Sequence, residues 1–274
     1  MIEILKAVLF GIVEGVTEWL PISSTGHLIL LNELVRLDVS EAFQSMFDVV
    51  IQLGAILAVV VLFFRKLNPF ARDKSGSQRA GTWRLWGLVV LSIIPSGVVG
   101  VLLDDWMEAK LHNPFVVSLA LIVYGAAFIL VERRNRGKRP RVDDLWDVDW
   151  KTALAIGAFQ CLSLVPGTSR SGSTILGGIL LGVSRGTAAE FSFFMAIPTM
   201  LGASAIKLLK FFMSGQGFAS GEFGILLAGC LVSFLVSVFV IRGLMEYVRS
   251  HSFSAFGVYR IALGAVVLLY FALK

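Results

Sequence analysis

The sequence predicts an all-α polytopic membrane protein, an inverted-topology repeat with two re-entrant helical hairpins and about six full transmembrane helices. Three observations lead to this fold class. The 274-residue chain is 56% hydrophobic, with a mean hydropathy of +0.81, and its apolar residues come in long runs that ordinary soluble domains lack. Six of these runs are long enough to approach or exceed a bilayer span. Two further apolar stretches are short, broken by polar turns, and similar to each other.

The first broken stretch lies at the start of the chain. Residues 4–20 have a helical pattern that Pro21 ends, and a second apolar stretch covers residues 27–37. The polar turn predicted between them consists of Ser23, Ser24, Thr25 and Gly26. Neither stretch has the roughly 20 residues that a full crossing needs. The pattern therefore predicts a re-entrant hairpin of two half-length helices.

Six full spans follow from the longer runs, and the loops between them set the topology. The predicted spans are residues 44–64, 83–103, 115–131, 188–206, 222–241 and 254–273. Loops 65–82 and 132–151 are basic, and Lys/Arg-rich loops favour the cytoplasmic side. The acidic loop at 104–114 then lies outside. This count makes the first hairpin enter from outside and the second from the cytoplasm, with both termini external.

The second hairpin repeats the first in sequence. Residues 152–165 end at Pro166 and Gly167, the polar turn SRSGST begins at Ser169, and an apolar stretch covers 175–183. At a constant offset of 146, the residues Gly11, Glu14, Ser23, Thr25 and Gly26 match Gly157, Gln160, Ser169, Ser171 and Gly172. We therefore expect one integral membrane domain, residues 1–274. Its predicted parts are repeat 1 (about 1–131), a cytoplasmic loop (132–151) and repeat 2 (about 152–274). Broken helices in such folds build a site near the bilayer midplane.

The second turn has the composition of a phosphate site. Arg170 supplies a planar guanidinium that matches phosphate oxygens. Its neighbours are small and hydroxylated, so backbone N–H groups at a helix N-terminus are accessible to an anion. The neighbouring residues are Gly167, Ser169, Ser171, Ser173 and Thr174.

The first turn adds carboxylates and a histidine. Glu14 and Glu18 are four residues apart, so they project from one face of a helix. A charge at the bilayer centre costs about 2.5–3.5 kcal/mol on insertion scales, so a cluster of charges needs a function. Carboxylates beside a phosphate repel it unless a divalent cation bridges them, and Mg²⁺ or Ca²⁺ suits oxygen ligands. His27 can exchange protons or attack phosphorus. Together the two turns predict metal-assisted phosphoryl transfer.

Other polar residues in the spans have open roles. Asp48 and Gln52 either support the site or cap a span, and Arg260 and Glu190 either pair with each other or serve the site. Cys161 and Cys230 are expected to be small apolar side chains without a disulfide. The net charge of +5 belongs to the loops, so no nucleic-acid partner is expected. The glycine pairs Gly97–Gly100 and Gly178–Gly182 permit close helix contact and leave a homodimer open.

The motifs EGVTEWLPISSTGH and PGTSRSGST closely resemble the two signatures of the bacterial undecaprenyl-diphosphate phosphatases, the bacitracin-resistance family. The stretches FDVVIQLGAILAVVV and GVSRGTAAEFSFFMAIPTMLGA also resemble that family, and the resemblance covers the full length. It implies a bacterial cytoplasmic-membrane hydrolase that acts on the outer side. The implied reaction converts undecaprenyl diphosphate to undecaprenyl phosphate and inorganic phosphate, with a divalent cation. This recycles the lipid carrier of peptidoglycan synthesis and confers bacitracin resistance.

The resemblance also assigns roles to individual residues. The metal ligands it implies are Glu14 and Glu18, the catalytic residues are Glu14, Glu18, Ser24, His27 and Arg170, and the substrate-binding residues are Ser23, Thr25, Gly26, Gly167, Ser169, Ser171 and Thr174. His27 is either a general base for water or the nucleophile, and Ser24 is the rival nucleophile. The alternative from another class is a secondary transporter or flippase for an anionic lipid, since inverted repeats with broken helices are typical of transporters.

Overall fold

The computed structural model of the chain describes residues 1–111, 113–215 and 217–273. This part of the chain is helical and contains no strand. The α-helices are α1 (Ile2–Thr17), α2 (Ser24–Leu34), α3 (Glu41–Val50), α4 (Gln52–Leu62), α5 (Phe64–Leu67), α6 (Gly76–Leu111), α7 (Pro114–Asn135), α8 (Trp150–Gln160), α9 (Arg170–Leu180), α10 (Arg185–Met213), α11 (Glu222–Ser250) and α12 (Ser254–Leu273). Two short 3₁₀ turns cover Leu145–Asp147 and Cys161–Leu164.

The helices confirm the predicted membrane protein with six spans. Within the described ranges, the segments long and apolar enough to cross a membrane are Glu41–Leu62, Gly76–Leu103, Pro114–Asn135, Arg185–Met213, Glu222–Ser250 and Ser254–Leu273. The first is built from α3 and α4, which meet at Ile51, itself in α-helical conformation. Two loop predictions were wrong in part, because α6 begins at Gly76 inside the predicted loop 65–82 and continues to Leu111 where an acidic loop was expected from residue 104. Acidic residues do not by themselves end a helix, and His112 lies outside the described residues.

The two broken stretches form helices too short to cross a bilayer. Helix α1 has 16 residues and α2 has 11, while α8 and α9 have 11 each. The predicted polar turns extend too far toward the C-terminus, because α2 already begins at Ser24 and α9 at Arg170. The physical reason is capping. The hydroxyl of Ser23 accepts the N–H of Gly26 at 3.3 Å, and capping serines start helices. The run from Ser24 to Gly26 is therefore the first helical turn.

In each short helix pair, the segment that joins the two helices is called its tip, residues 18–24 in the first pair and residues 161–170 in the second. The two tips share one unusual backbone conformation. Ser23 and Ser169 both have φ +72°, and in the described part of the chain they are the two non-glycine residues with positive φ. The hydroxyl of Ser169 caps α9 through Gly172 N–H at 3.2 Å, as Ser23 caps α2. A non-glycine residue at such angles costs on the order of 1–3 kcal/mol. The surrounding contacts must therefore hold both tips in place.

The short helices α1 and α8 are held in place by close packing against longer helices. Helix α1 lies along α11, α8 lies along α6, and α7 pairs with α12. At Gly157 of α8 an added Cβ would lie 1.9 Å from the carbonyl oxygen of Ser92 in α6. Only a glycine permits this approach. The tip of the first pair is packed by Trp19, which meets Phe193 of α10 edge-on with ring centroids 5.2 Å apart.

Candidate active site

The tips of the two short helix pairs meet inside the protein, and Arg260 of α12 ties them together. Its guanidinium donates to the carbonyl of Pro21 in the first tip at 3.1 Å. It also donates to the carbonyls of Gly167 and Thr168 in the second tip at 2.9 and 2.8 Å. Arg260 is fully buried, and its charge lies 5.6 Å from the centre of the Tyr124 ring. One side chain thus fixes the two tips relative to each other.

Glu18 joins the functional groups of the two tips. It follows the last residue of α1 and is 7% exposed. One carboxylate oxygen accepts the hydroxyl of Ser24 at 2.8 Å, and the other accepts the guanidinium of Arg170 at 3.2 Å. The backbone carbonyl of Glu18 accepts the hydroxyl of Ser171 at 3.0 Å. Residues predicted independently in two motifs about 150 positions apart therefore form one hydrogen-bonded group.

Arg170 keeps a free donor in this group. Its second terminal nitrogen donates to the carbonyl of Ser192 in α10 at 2.9 Å, and its guanidinium carbon lies 5.9 Å from the ring of Trp19. Its Nε is buried without a hydrogen-bond partner. Thr174 contacts the same residue of α10, because its hydroxyl is 2.7 Å from that of Ser192. An unpaired buried N–H is costly, so Nε is available to an anionic ligand.

Glu14 has the surroundings of a cation ligand. Its side chain is fully buried, and neither carboxylate oxygen has a hydrogen-bond partner. The charged groups that act on it are Glu18, Asp48 and Arg170. An unsatisfied buried carboxylate calls for an explanation such as an ion. No cluster of three or more acidic, histidine or cysteine ligands occurs among the described residues. The donor set therefore fits a hard cation that takes one or two carboxylates and completes its shell with water and phosphate oxygens.

His27 is held in a defined orientation in the second turn of α2. Its Nδ1 lies 2.7 Å from the carbonyl oxygen of Ser23, and its Nε2 lies 2.7 Å from the hydroxyl of Tyr259 in α12. The two rings are parallel within 5°, with centroids 5.6 Å apart. A backbone carbonyl fixes both the tautomer and the ring plane of a histidine.

The remaining predicted site residues shape the tips. Ser169 and Ser171 share a hydrogen bond at 3.2 Å, and Thr25 and Gly26 lie in the first turn of α2. Gly167 has φ +90°, and an added Cβ would lie 2.6 Å from the carbonyl of Val117. In this structure Gly167 therefore provides a backbone conformation that other residues rarely adopt, and it presents its carbonyl to Arg260.

Of the two roles left open for Arg260 and Glu190, pairing with each other does not occur. Glu190 accepts Lys66 at 2.6 Å instead, while Arg260 binds carbonyls of the tips. Asp48 lies inside α3 rather than at a span end. It accepts Gln44 at 2.7 Å and Asn32 at 3.5 Å, so it links α3 to the helix that carries His27. Cys161 and Cys230 are free, as expected.

The sequence interpretation missed three residues of the site. These are Trp19, Ser192 and Tyr259. Trp19 lies inside the first motif, but an aromatic residue in an apolar segment predicts only ordinary packing. Ser192 and Tyr259 lie in spans, and nothing in their local sequence points to the tips. Tyr259 does precede Arg260, so an intramembrane arginine was the one sequence signal near it.

Comparison with known proteins identifies the family of the chain. The family described as "Bacitracin resistance protein BacA" matches residues 7–266. A protein of Streptococcus thermophilus named "Undecaprenyl-diphosphatase" is 57% identical over 274 residues, covering all of this chain and 95% of the relative. The Limosilactobacillus fermentum protein of the same name is 57% identical over 273 residues, covering 99% of that protein. "Undecaprenyl-diphosphatase 1" of Clostridioides difficile is also 57% identical, covering 98% of it. The chain therefore belongs to the bacitracin resistance protein BacA family.

Proposed function

We propose that the two tips form the active site of an undecaprenyl-diphosphate phosphatase. The chain is a multi-pass membrane hydrolase that converts undecaprenyl diphosphate to undecaprenyl phosphate and inorganic phosphate. It thereby recycles the lipid carrier for cell-wall polymers and supports bacitracin resistance. The observation that carries the site assignment is the group formed by Glu18, Ser24 and Arg170. In this group the hydroxyl of Ser24, which can act as a nucleophile, and the guanidinium of Arg170, which can bind phosphate, both donate to the carboxylate of Glu18.

Arg170 and the two helix N-termini bind the diphosphate. Helices α2 and α9 begin at Ser24 and Arg170, and the N-terminus of a helix favours an anion. The unpaired Nε of Arg170 adds a charge-assisted donor. Donors that are already positioned stabilise the charge that spreads over the phosphoryl oxygens in the transition state. The polyprenyl chain then extends into the bilayer.

Glu14 and Glu18 would hold a divalent cation, Mg²⁺ or Ca²⁺, beside the diphosphate. When bound, the cation neutralises phosphate charge and so lets two carboxylates and a diphosphate occupy one buried site. The free oxygens of Glu14 are the support for this assignment, since Glu18 already accepts Ser24 and Arg170.

Ser24 is the nucleophile that the geometry favours over His27. Its hydroxyl donates to Glu18 at 2.8 Å, which is the contact expected between a nucleophile and its base. Ser24 Oγ attacks the terminal phosphorus, its proton passes to Glu18, and undecaprenyl phosphate leaves as the anhydride bond breaks. Water then attacks the phosphoserine and gives a proton to His27. Ser24 recovers its own proton from Glu18 as inorganic phosphate leaves.

The hydrolysis is tested by inorganic phosphate release from a long-chain polyprenyl diphosphate by detergent-purified protein. Release is expected with Mg²⁺ or Ca²⁺ and should stop with excess chelator. Glu14→Gln should need at least about tenfold more cation, because it removes one ligand charge. Glu41→Gln, an exposed glutamate of α3, is the matched control. If folded protein releases no phosphate with any cation, the enzyme assignment fails and the flippase becomes the better interpretation.

The identity of the nucleophile is tested by trapping the covalent intermediate. Rapid acid quench with substrate labelled at its terminal phosphate should yield labelled protein. Phosphoserine survives acid and is lost in base, whereas phosphohistidine shows the opposite stability. We expect acid-stable label that is absent in Ser24→Ala and present in His27→Ala. Acid-labile label that disappears in His27→Ala would make His27 the nucleophile.

We further propose that this protein resides in the bacterial cytoplasmic membrane with the site open to the outer side. The support is the distribution of basic loops, which favours a cytoplasmic position for residues 65–82 and 132–151. Gly178 packs against Ala188 within the chain, so of the two glycine pairs only Gly97 and Gly100 leave a homodimer open.

A further inference from the structure

The hydrogen bonds around His27 define its proton positions. Nδ1 lies 2.7 Å from the carbonyl oxygen of Ser23, and a carbonyl oxygen only accepts hydrogen bonds. Nδ1 must therefore carry a proton. In the neutral ring Nε2 is then the basic nitrogen, and the hydroxyl of Tyr259, 2.7 Å away, must donate to it. The nitrogen that would take a proton during catalysis is thus occupied by Tyr259 in this structure.

The position of Tyr259 is set by the same element that fixes the tips. It precedes Arg260, whose guanidinium binds three tip carbonyls, so its backbone is held at the junction. Its ring stacks on His27 within 5°, which keeps the hydroxyl in line with Nε2. The side chain is 44% exposed, whereas the ring of His27 is half-buried. Tyr259 is therefore the more exposed partner of this hydrogen bond.

We propose that Tyr259 is a positioning residue for the reaction, the reversible hydrogen-bond partner of His27 Nε2. This inference rests on the proposed function. A phenol can donate or accept. Tyr259 donates to Nε2 while His27 is neutral, and when His27 is protonated the same oxygen accepts from Nε2–H. The ring of His27 can then change protonation state without moving.

The test compares Tyr259→Phe with Tyr270→Phe in the purified full chain. The first change removes the hydroxyl and keeps the stacked ring, and the second makes the same change 11 residues further along α12. Tyr259→Phe should lower kcat for phosphate release about tenfold while KM changes less than twofold, because the base loses its orientation and not its substrate. Tyr270→Phe should match the original protein. Equal kcat in both variants would overturn the proposal.

A second readout does not depend on activity. The chain has three histidines, so ¹⁵N-histidine NMR of the detergent-purified protein is simple to assign with a His27→Gln variant. His27 should show a protonated Nδ1 and a hydrogen-bonded Nε2, and Tyr259→Phe should shift its Nε2 signal alone. An unchanged His27 spectrum would overturn the hydrogen bond itself. If the original protein released no phosphate, the proposed function would fail while this spectrum still tested the contact.

Discussion

Arg170→Ala is expected to lower kcat for phosphate release by about 10³-fold. The guanidinium donates to Glu18, and it has an unpaired Nε that can donate to the diphosphate. Arginines that stabilise phosphoryl-transfer charge contribute about 10³–10⁵ in rate. Phosphate release is measured at saturating substrate and cation, with thermal unfolding to show that the variant folds.

Two further variants separate chemistry from packing at this position. Arg170→Lys keeps the charge but not the planar fork, so it should recover only part of the rate. Thr174→Val removes the hydroxyl that contacts Ser192 and should cost about tenfold or less, since one neutral hydrogen bond is worth about 0.5–1.5 kcal/mol. If Arg170→Ala kept near-normal turnover in folded protein, the tips would not be the catalytic site.

Arg260→Met is expected to destabilise the protein and to abolish most of its activity. The change leaves the carbonyls of Pro21, Gly167 and Thr168 buried without their donor. Each unsatisfied buried group costs about 1–3 kcal/mol. Three such groups cost at least about 3 kcal/mol, which corresponds to a fall of at least about 6–12 °C in Tm for a chain of this size. Activity should fall at least about 100-fold, because the two tips carry different halves of the site and small misplacements are costly.

The matched control for Arg260 is Arg242→Met on α11, where the arginine is exposed. It should change Tm by less than 2 °C, since exposed substitutions shift stability by about 0.5 kcal/mol or less. Arg260→Lys should behave like Arg260→Met in activity, because a compact ammonium cannot reach carbonyls of both tips as a fork does. An Arg260→Met protein with normal Tm and turnover would show that the tips are held by other contacts.

Matched positions of the two tips carry complementary chemistry. At the offset of 146, Glu14 corresponds to Gln160 and Ser24 to Arg170. Ser23 and Ser169, which precede the latter pair, have the same φ of +72°. Gln160 instead donates to the hydroxyl of Ser96 in α6 at 2.6 Å. The two tips thus share one backbone design, and one supplies carboxylates while the other supplies the guanidinium.

The amino-acid sequence alone was enough for the fold class and for the residues of the two motifs. Runs of about 20 apolar residues identify spans because the bilayer sets their length. Ionisable residues inside such a chain point to a site because burying them is costly. The helix starts at Ser24 and Arg170 were placed one turn too late, because hydroxyl-rich runs predict turns as readily as they predict capped first turns.

Only the tertiary structure decided which side chains meet. The contact of Glu18 with Arg170 joins residues 152 positions apart, and that of His27 with Tyr259 joins residues 232 positions apart. No local pattern reports such distances, since helical periodicity gives the face of a helix and not its neighbour. For the same reason the sequence could not decide whether Arg260 pairs with Glu190 or serves the site. The sequence thus determined the chemistry that is present, and packing of the helices determined where it acts.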